Sequence, residues 1–235
     1  MIAGPEAGGP PGPLRATVYA WMVFALSFGL LISDYMARQV LNAVFPLLKA
    51  EWALSDGQLG LLSGVVAAMV GLLTFPLSLA ADRWGRVRSL TLMAVLWSLA
   101  TLLCAAADGF GTMLIGRALV GVGEAAYGSV GIAVVISVFP ARLRATLTSA
   151  FMAGGLFGQV LGVALGGALA ASHGWRMAFA VIGLAGLAMG VLYPMVVREK
   201  RIAELAGGAL KSRSDAAKLP LSALIRSRSV RLAYL

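Results

Sequence analysis

The chain has 235 residues, 60% of them hydrophobic and 12% charged, with a net charge of +9. A soluble domain carries about half apolar and a quarter charged residues, and small domains bury only about two-thirds of their surface, so a water-soluble fold is excluded. One cysteine, Cys104, and one histidine, His173, leave no disulfide framework and no zinc or iron cluster, so neither metal nor cofactor is expected.

Residues 1–16 are Gly/Pro-rich and read as a disordered tail. Arg15 is the only base before the first apolar run, which continues without a cleavage site, so that run is a retained span. Six apolar stretches follow, near 17–45, 57–81, 89–107, 110–138, 146–171 and 175–196. Each is long enough to cross about 30 Å of hydrocarbon at a helical rise of about 1.5 Å per residue. Short links force neighbouring helices to run antiparallel. Lipid supplies no hydrogen bonds to the backbone, and the alternating ten-residue strands of a barrel are absent, so the fold class is an all-α membrane protein. The domain reading is a six-helix bundle over 17–197, a basic cytoplasmic loop over 198–229, and the start of a seventh, truncated span over 230–235.

The bases set the orientation. With the N-terminus inside, the inner side holds Arg15, Arg83, Arg86, Arg88, Arg142, Arg144 and all the bases of the tail from Arg198 onward. Only Arg38, Lys49, Arg117 and Arg176 fall on the other side or in the outer helix ends. This bias predicts a multi-pass protein of the cell inner membrane with a cytoplasmic N-terminus. The bases lie beside apolar runs rather than in a domain of their own, which excludes nucleic acid as a partner.

Charges inside the spans carry the functional signal, since each costs at least ~2.5–3.5 kcal/mol near the bilayer centre. Asp34, Arg38 and Asn42 recur every four residues on one stripe of the first span. Arg117 and Glu124 share a face of the fourth, with Gly121 between them and Tyr127 one turn on. The plainer reading is that Asp34 and Arg38 neutralise each other while Arg117 snorkels to an interface. Against it, two separate helices bear a polar stripe while the third and sixth spans carry no charge in their middles. If the six spans are two inverted three-helix repeats, spans one and four occupy equivalent places. They would then line a central path, with three and six facing lipid or the outside.

Gly154, Gly158, Gly162 and Gly166 recur every four residues in the fifth span and form a ridge for close helix packing. Gly57, Gly60, Gly64 and Gly71 make a looser version in the second, with Pro76 as a kink. The run Gly121-Val-Gly123-Glu-Ala-Ala126 matches a dinucleotide fingerprint in letters only, because no strand precedes it. No nucleophile elbow or Ser-His-Asp set occurs, so the protein is not expected to be an enzyme. Between spans two and three lies a tight turn in which Gly85 supplies a permissive backbone and Asp82 can face a helix N-terminus. Arg83, Arg86 and Arg88 hold that turn on the inner side.

Asp82-Arg83-x-Gly85-Arg86, the run Arg117…Gly121-x-Gly123 and Gly174-Trp175-Arg176 together resemble the Major Facilitator Superfamily. The first span and its following loop are similar to the spinster-like and anion:cation symporter branches. Ser78 stands where the signature loop usually opens with Gly. Ala37 stands where the spinster-like branch has Asp, with Asp34 one turn earlier. The resemblance implies one six-helix half of a twelve-helix fold, with the signature loop and the fifth-helix glycine face both touching the missing C-terminal half.

The implied function is proton-coupled transport of a small organic, anionic solute by alternating access. Asp34, Arg38, Asn42, Arg117, Glu124 and Tyr127 form the substrate and proton site in this reading. Arg38 and Arg117 contact the anion, Glu124 carries the proton, and Asp34 holds Arg38 or shares that proton. The partners are the bilayer, the solute, and the missing half or a second copy of the chain. The rival reading is a six-helix membrane interaction protein that transports nothing.

Overall fold

The structure is a computed structural model, and it describes residues 13–205. The tail before residue 13, the basic segment beyond 205 and the seventh-span start at 230–235 lie outside the described residues. Among the described residues the named helices are α1 (Pro13–Trp52), α2 (Asp56–Trp84), α3 (Arg86–Ala105), α4 (Phe110–Glu124), α5 (Tyr127–Val138), α6 (Ala141–His173) and α7 (Trp175–Val196). A further helical stretch covers 199–205. Six apolar, membrane-length spans result, the fourth being α4 and α5 in series.

Local chemistry sets most ends. α1 begins at Pro13, inside the stretch read from sequence as tail, because proline is well suited to the first helical turn. Ser55 caps α2 reciprocally: its Oγ accepts from Gln58 N at 3.2 Å, while Ser55 N donates to Gln58 Oε1 at 2.9 Å. Gly85 (φ 96°) ends α2 and opens α3, and Gly174 (φ 84°) ends α6 and opens α7. Both glycines occupy a backbone region that a side chain would strain. They sit at equivalent joints, between the second and third helices of each triplet.

Packing follows the same symmetry. α1 packs along α6, and α4 packs along α2; α3 meets α4, and α7 meets α1; α3 and α7 pack on each other. Exchanging span one with four, two with five and three with six reproduces this set, as two inverted repeats require. The bundle is thus six helices arranged as two inverted triplets.

The glycine ridge of α6 lies on α1. A Cβ added at Gly158 would come within 2.8 Å of Ile32 O, and one at Gly162 within 2.8 Å of Met36 Cα. At Gly154 it would meet Phe28 Cε2 at 2.5 Å, and at Gly166 Val40 Cγ2 at 3.0 Å. The resemblance assigns this ridge to a missing half; here α1 occupies it, because only a side-chain-free face lets the two backbones come so close. In α2 a Cβ at Gly60, Gly64 or Gly71 would meet nothing within 4 Å, so those glycines face open space.

The third span is only partly as the sequence pattern has it, against lipid or outside the bundle: Leu92 and Leu99 face outward, while its other side is core. In α3, 56% of the most apolar stretch is buried, against 11% in α2, and Leu90, Ala94, Trp97 and Cys104 are fully enclosed. α3 is sandwiched between α4 and α7. Absence of charge cannot separate protein core from lipid, since both are apolar.

Candidate functional site

The stripe on α1 and the end of α4 meet inside the bundle. Arg38 Nε lies 2.6 Å from Glu124 Oε2, and Arg38 Nη2 lies 3.9 Å from Asp34 Oδ2. Four-residue spacing keeps Asp34 and Arg38 together, while Glu124 arrives from another helix as the last residue of α4. Asp34 and Glu124 are 3% and 2% exposed, whereas the Arg38 side chain is 27% exposed. The Arg38–Glu124 approach is an ion contact rather than an aligned hydrogen bond, and Asp34 Oδ1 and Glu124 Oε1 have no hydrogen-bond partner. A proton taken up by either carboxyl would add a donor to those of Arg38.

Arg117 is placed differently from the sequence reading. It is 2% exposed, and its guanidinium donates to Ala37 O at 2.9 Å, Arg38 O at 3.2 Å and Leu62 O at 3.4 Å. Three main-chain carbonyls on α1 and α2 thus hold a group expected to contact the solute. A planar fork of five donors suits such carbonyls, and their pull keeps the cation off the surface. Its charge still sits beside Arg38. Gly121 lets α2 approach, with Val66 O 2.8 Å from where a Cβ would be, and Gly123 does the same for α3 at Trp97 N, 2.6 Å away. The helix-four motif is therefore a packing device that sets Glu124 in depth.

Tyr127 is likewise spent inside. Its hydroxyl donates to Ser27 O at 2.6 Å, and its ring meets Trp97 edge-on at 5.1 Å. It opens α5 just after the fourth span breaks at Ala125–Ala126, directly beside Glu124. The carbonyls loosened there are met by side chains: Thr74 Oγ1 lies 2.6 Å from Ala125 O, and Ser129 Oγ 3.0 Å from Ala126 O. Ser, Thr and tightly packed neighbours commonly re-satisfy such breaks. No proline marks this one in the sequence.

Asn42 belongs to a polar chain that the sequence reading had not assembled. Gln159 of α6 accepts from Gln39 at 3.4 Å, Gln39 accepts from Asn42 at 2.6 Å, and Asn42 accepts from Ser63 of α2 at 3.3 Å. Tyr35 lies under Arg38, with the guanidinium carbon 5.4 Å from the ring centre. Gln39, Ser63 and Gln159 were missed because uncharged polar residues stand out little among membrane spans.

At the signature turn, Asp82 of α2 pairs with Arg86 of α3 at 3.8 Å across the Gly85 break, Asp82 exposed and Arg86 half-buried, and Arg83 and Arg88 are exposed. Asp82 does not face the α3 N-terminus. Glu199, from beyond α7, does so: its carboxylate accepts from Arg86 N at 3.1 Å and Val87 N at 2.8 Å. Asp82 sits in the last turn of α2, three residues before the turn glycine, too early in the chain to reach forward to those N–H groups. Glu199 approaches them end-on.

With this geometry in view, similarity to known proteins is informative. The family model described as Major Facilitator Superfamily matches residues 15–235. The hexuronate transporter of Bacillus subtilis (strain 168) is 28% identical over 201 residues, covering 85% of this chain and 48% of that protein. The sphingosine-1-phosphate transporter SPNS2 of Danio rerio is 28% identical over 209 residues, covering 87% of this chain and 41% of that protein. The fold matches a bacterial homologue of the human lysosomal transporter Spinster, in an inward-facing and unoccupied conformation. That match has a TM-score of 0.73 at 24% identity and covers 81% of this chain and 44% of the other. The chain spans about half the length of the curated relatives it matches.

Proposed function

Because the chain belongs to the Major Facilitator Superfamily, we propose that it supplies one six-helix half of a secondary transporter that carries a small organic anion with a proton. The observation that carries this reading is Arg38 set between Glu124 and Asp34 in a nearly dry site. With both carboxyls ionised, Asp34, Glu124, Arg38 and Arg117 sum to zero. Adding one proton leaves a net charge of one positive beside Arg38, the group of the four that is partly exposed. A proton and an anion would then favour each other's binding, and that mutual preference is the linkage symport needs. Relatives named for hexuronate and sphingosine-1-phosphate move solutes that bear a carboxylate or a phosphate. Alternating access would come from this bundle rocking against a second one.

Within the same proposal the N-terminus is cytoplasmic, the membrane is the cell inner membrane, and the segment 198–229 links to the partner half. The test is uptake of glucuronate by proteoliposomes holding the full polypeptide, with an inward proton gradient. Glu124→Gln should abolish gradient-driven uptake while solute counterflow persists; pH dependence that survives the substitution overturns the proton assignment. The half-length match favours a second reading, a bundle that only binds a membrane partner. Absence of uptake with or without a second half would support it.

A further inference from the structure

A cavity of about 560 Å³ opens where α1 begins and α7 ends, lined by Val18, Tyr19, Met22, Met195, Arg198 and Arg201 among others. The segment after α7 is pinned across the start of α1: Arg198 N donates to Tyr19 Oη at 2.9 Å, and the Arg201 guanidinium lies 5.4 Å from the Tyr19 ring centre. Two guanidiniums therefore stand on the rim. Among the described residues neither forms an ion pair with a carboxylate. Glu199, which lies between them in sequence, is turned away onto the α3 N-terminus. Glu204, the other acid of the segment, is outside ion-pair distance of both.

Below the rim the walls are apolar and open. Val18, Met22 and Met195 are 60%, 45% and 68% exposed, and Trp21 and Leu192 continue the surface at 48% and 44%. These residues end two membrane-length spans, which sets the surface at the edge of the apolar layer. A soluble anion needs enclosure by polar groups on several sides, which this cavity lacks. A cationic rim over a greasy wall at a span end matches the layered chemistry of a phospholipid. We propose that this cavity binds one anionic phospholipid, with its phosphate between Arg198 and Arg201 and its chains along Val18, Met22 and Met195. The site joins α1 to α7, so occupancy would brace the junction of the two repeats. It does not depend on the chain being a proton-coupled transporter.

The full chain, purified in mild detergent, would be mixed with equimolar dioleoylphosphatidylglycerol and dioleoylphosphatidylcholine, and bound lipid counted by native mass spectrometry. Retention of the glycerol lipid should exceed that of the choline lipid, and Arg198→Gln with Arg201→Gln should remove the preference, at about five-fold per arginine. Lys200→Gln, which removes as much charge as either arginine substitution alone but does not line the cavity, should leave it intact. Met195→Glu, which sets a carboxylate against the acyl wall, should abolish it by a separate route. Equal retention of both lipids by the unaltered chain overturns the proposal, as does a preference that survives the double substitution. Competition by free glycerol 1-phosphate as strong as by the lipid overturns the choice of a lipid.

Discussion

Arg38 of α1 and Glu124 at the end of α4 approach to 2.6 Å, a close charge pair that joins the first helices of the two inverted repeats. Glu124 is fully buried and Arg38 is not, so removing either partner has unequal consequences. Arg38→Ala leaves a buried carboxylate without its cation and should cost about 3–5 kcal/mol. Removing both charges, as Arg38→Ala with Glu124→Ala, should restore most of that. A double-mutant cycle on thermal unfolding in detergent reads the coupling, and additive losses would show that the pair is not an energetic unit.

Arg117→Lys should destabilise the fold although the charge is kept. The carbonyls of Ala37, Arg38 and Leu62 are held by separate nitrogens of one guanidinium. An ammonium is a compact point charge and cannot span them, so about 1–3 kcal/mol is lost where a buried acceptor goes unmet. A melting temperature equal to the parent's would contradict this placement.

Gly158→Ala and Gly162→Ala should each destabilise the bundle by about 1–3 kcal/mol, because the added methyl meets α1 backbone that has little room to yield. Gly60→Ala and Gly64→Ala, with nothing within 4 Å, should be neutral or slightly stabilising. Thermal denaturation of the four single variants gives the comparison. Equal effects at all four would mean that α6 does not sit on α1 as described.

Glu199→Ala should free the start of α3, with a loss of about 0.5–2 kcal/mol as for other helix caps. The readout is trypsin nicking at Arg83, Arg86 and Arg88, which should quicken in this variant. Asp82→Asn should leave nicking unchanged, since Asp82 contacts only Arg86 in its own neighbourhood. The reverse order of effects would return the capping role to Asp82.

Much of the fold was legible because hydropathy is a local property. Six runs of spanning length, the short links between them and the glycine of the turn at Gly85 needed no knowledge of partners. The break at Ala125–Ala126 was not legible: it carries no proline, and Thr74 and Ser129, which meet its carbonyls, come from α2 and α5. The cap on α3 was hidden for a related reason, as Glu199 is more than a hundred residues from the turn it serves.

Within the candidate site, helical spacing alone put Asp34, Arg38 and Asn42 on one stripe and Arg117 with Glu124 on another. Which charges met was a tertiary outcome. Two arginines of the same formal charge were separated by what surrounds them: Arg38 found carboxylates and stays partly exposed, while Arg117 found main-chain carbonyls in the interior. The sequence by itself determined that charges would be buried in spans one and four, because their number and spacing are written there. Only the tertiary structure decided which of them remains partly open, because solvent access and ion pairing depend on helices that are distant in the chain and adjacent in the bundle.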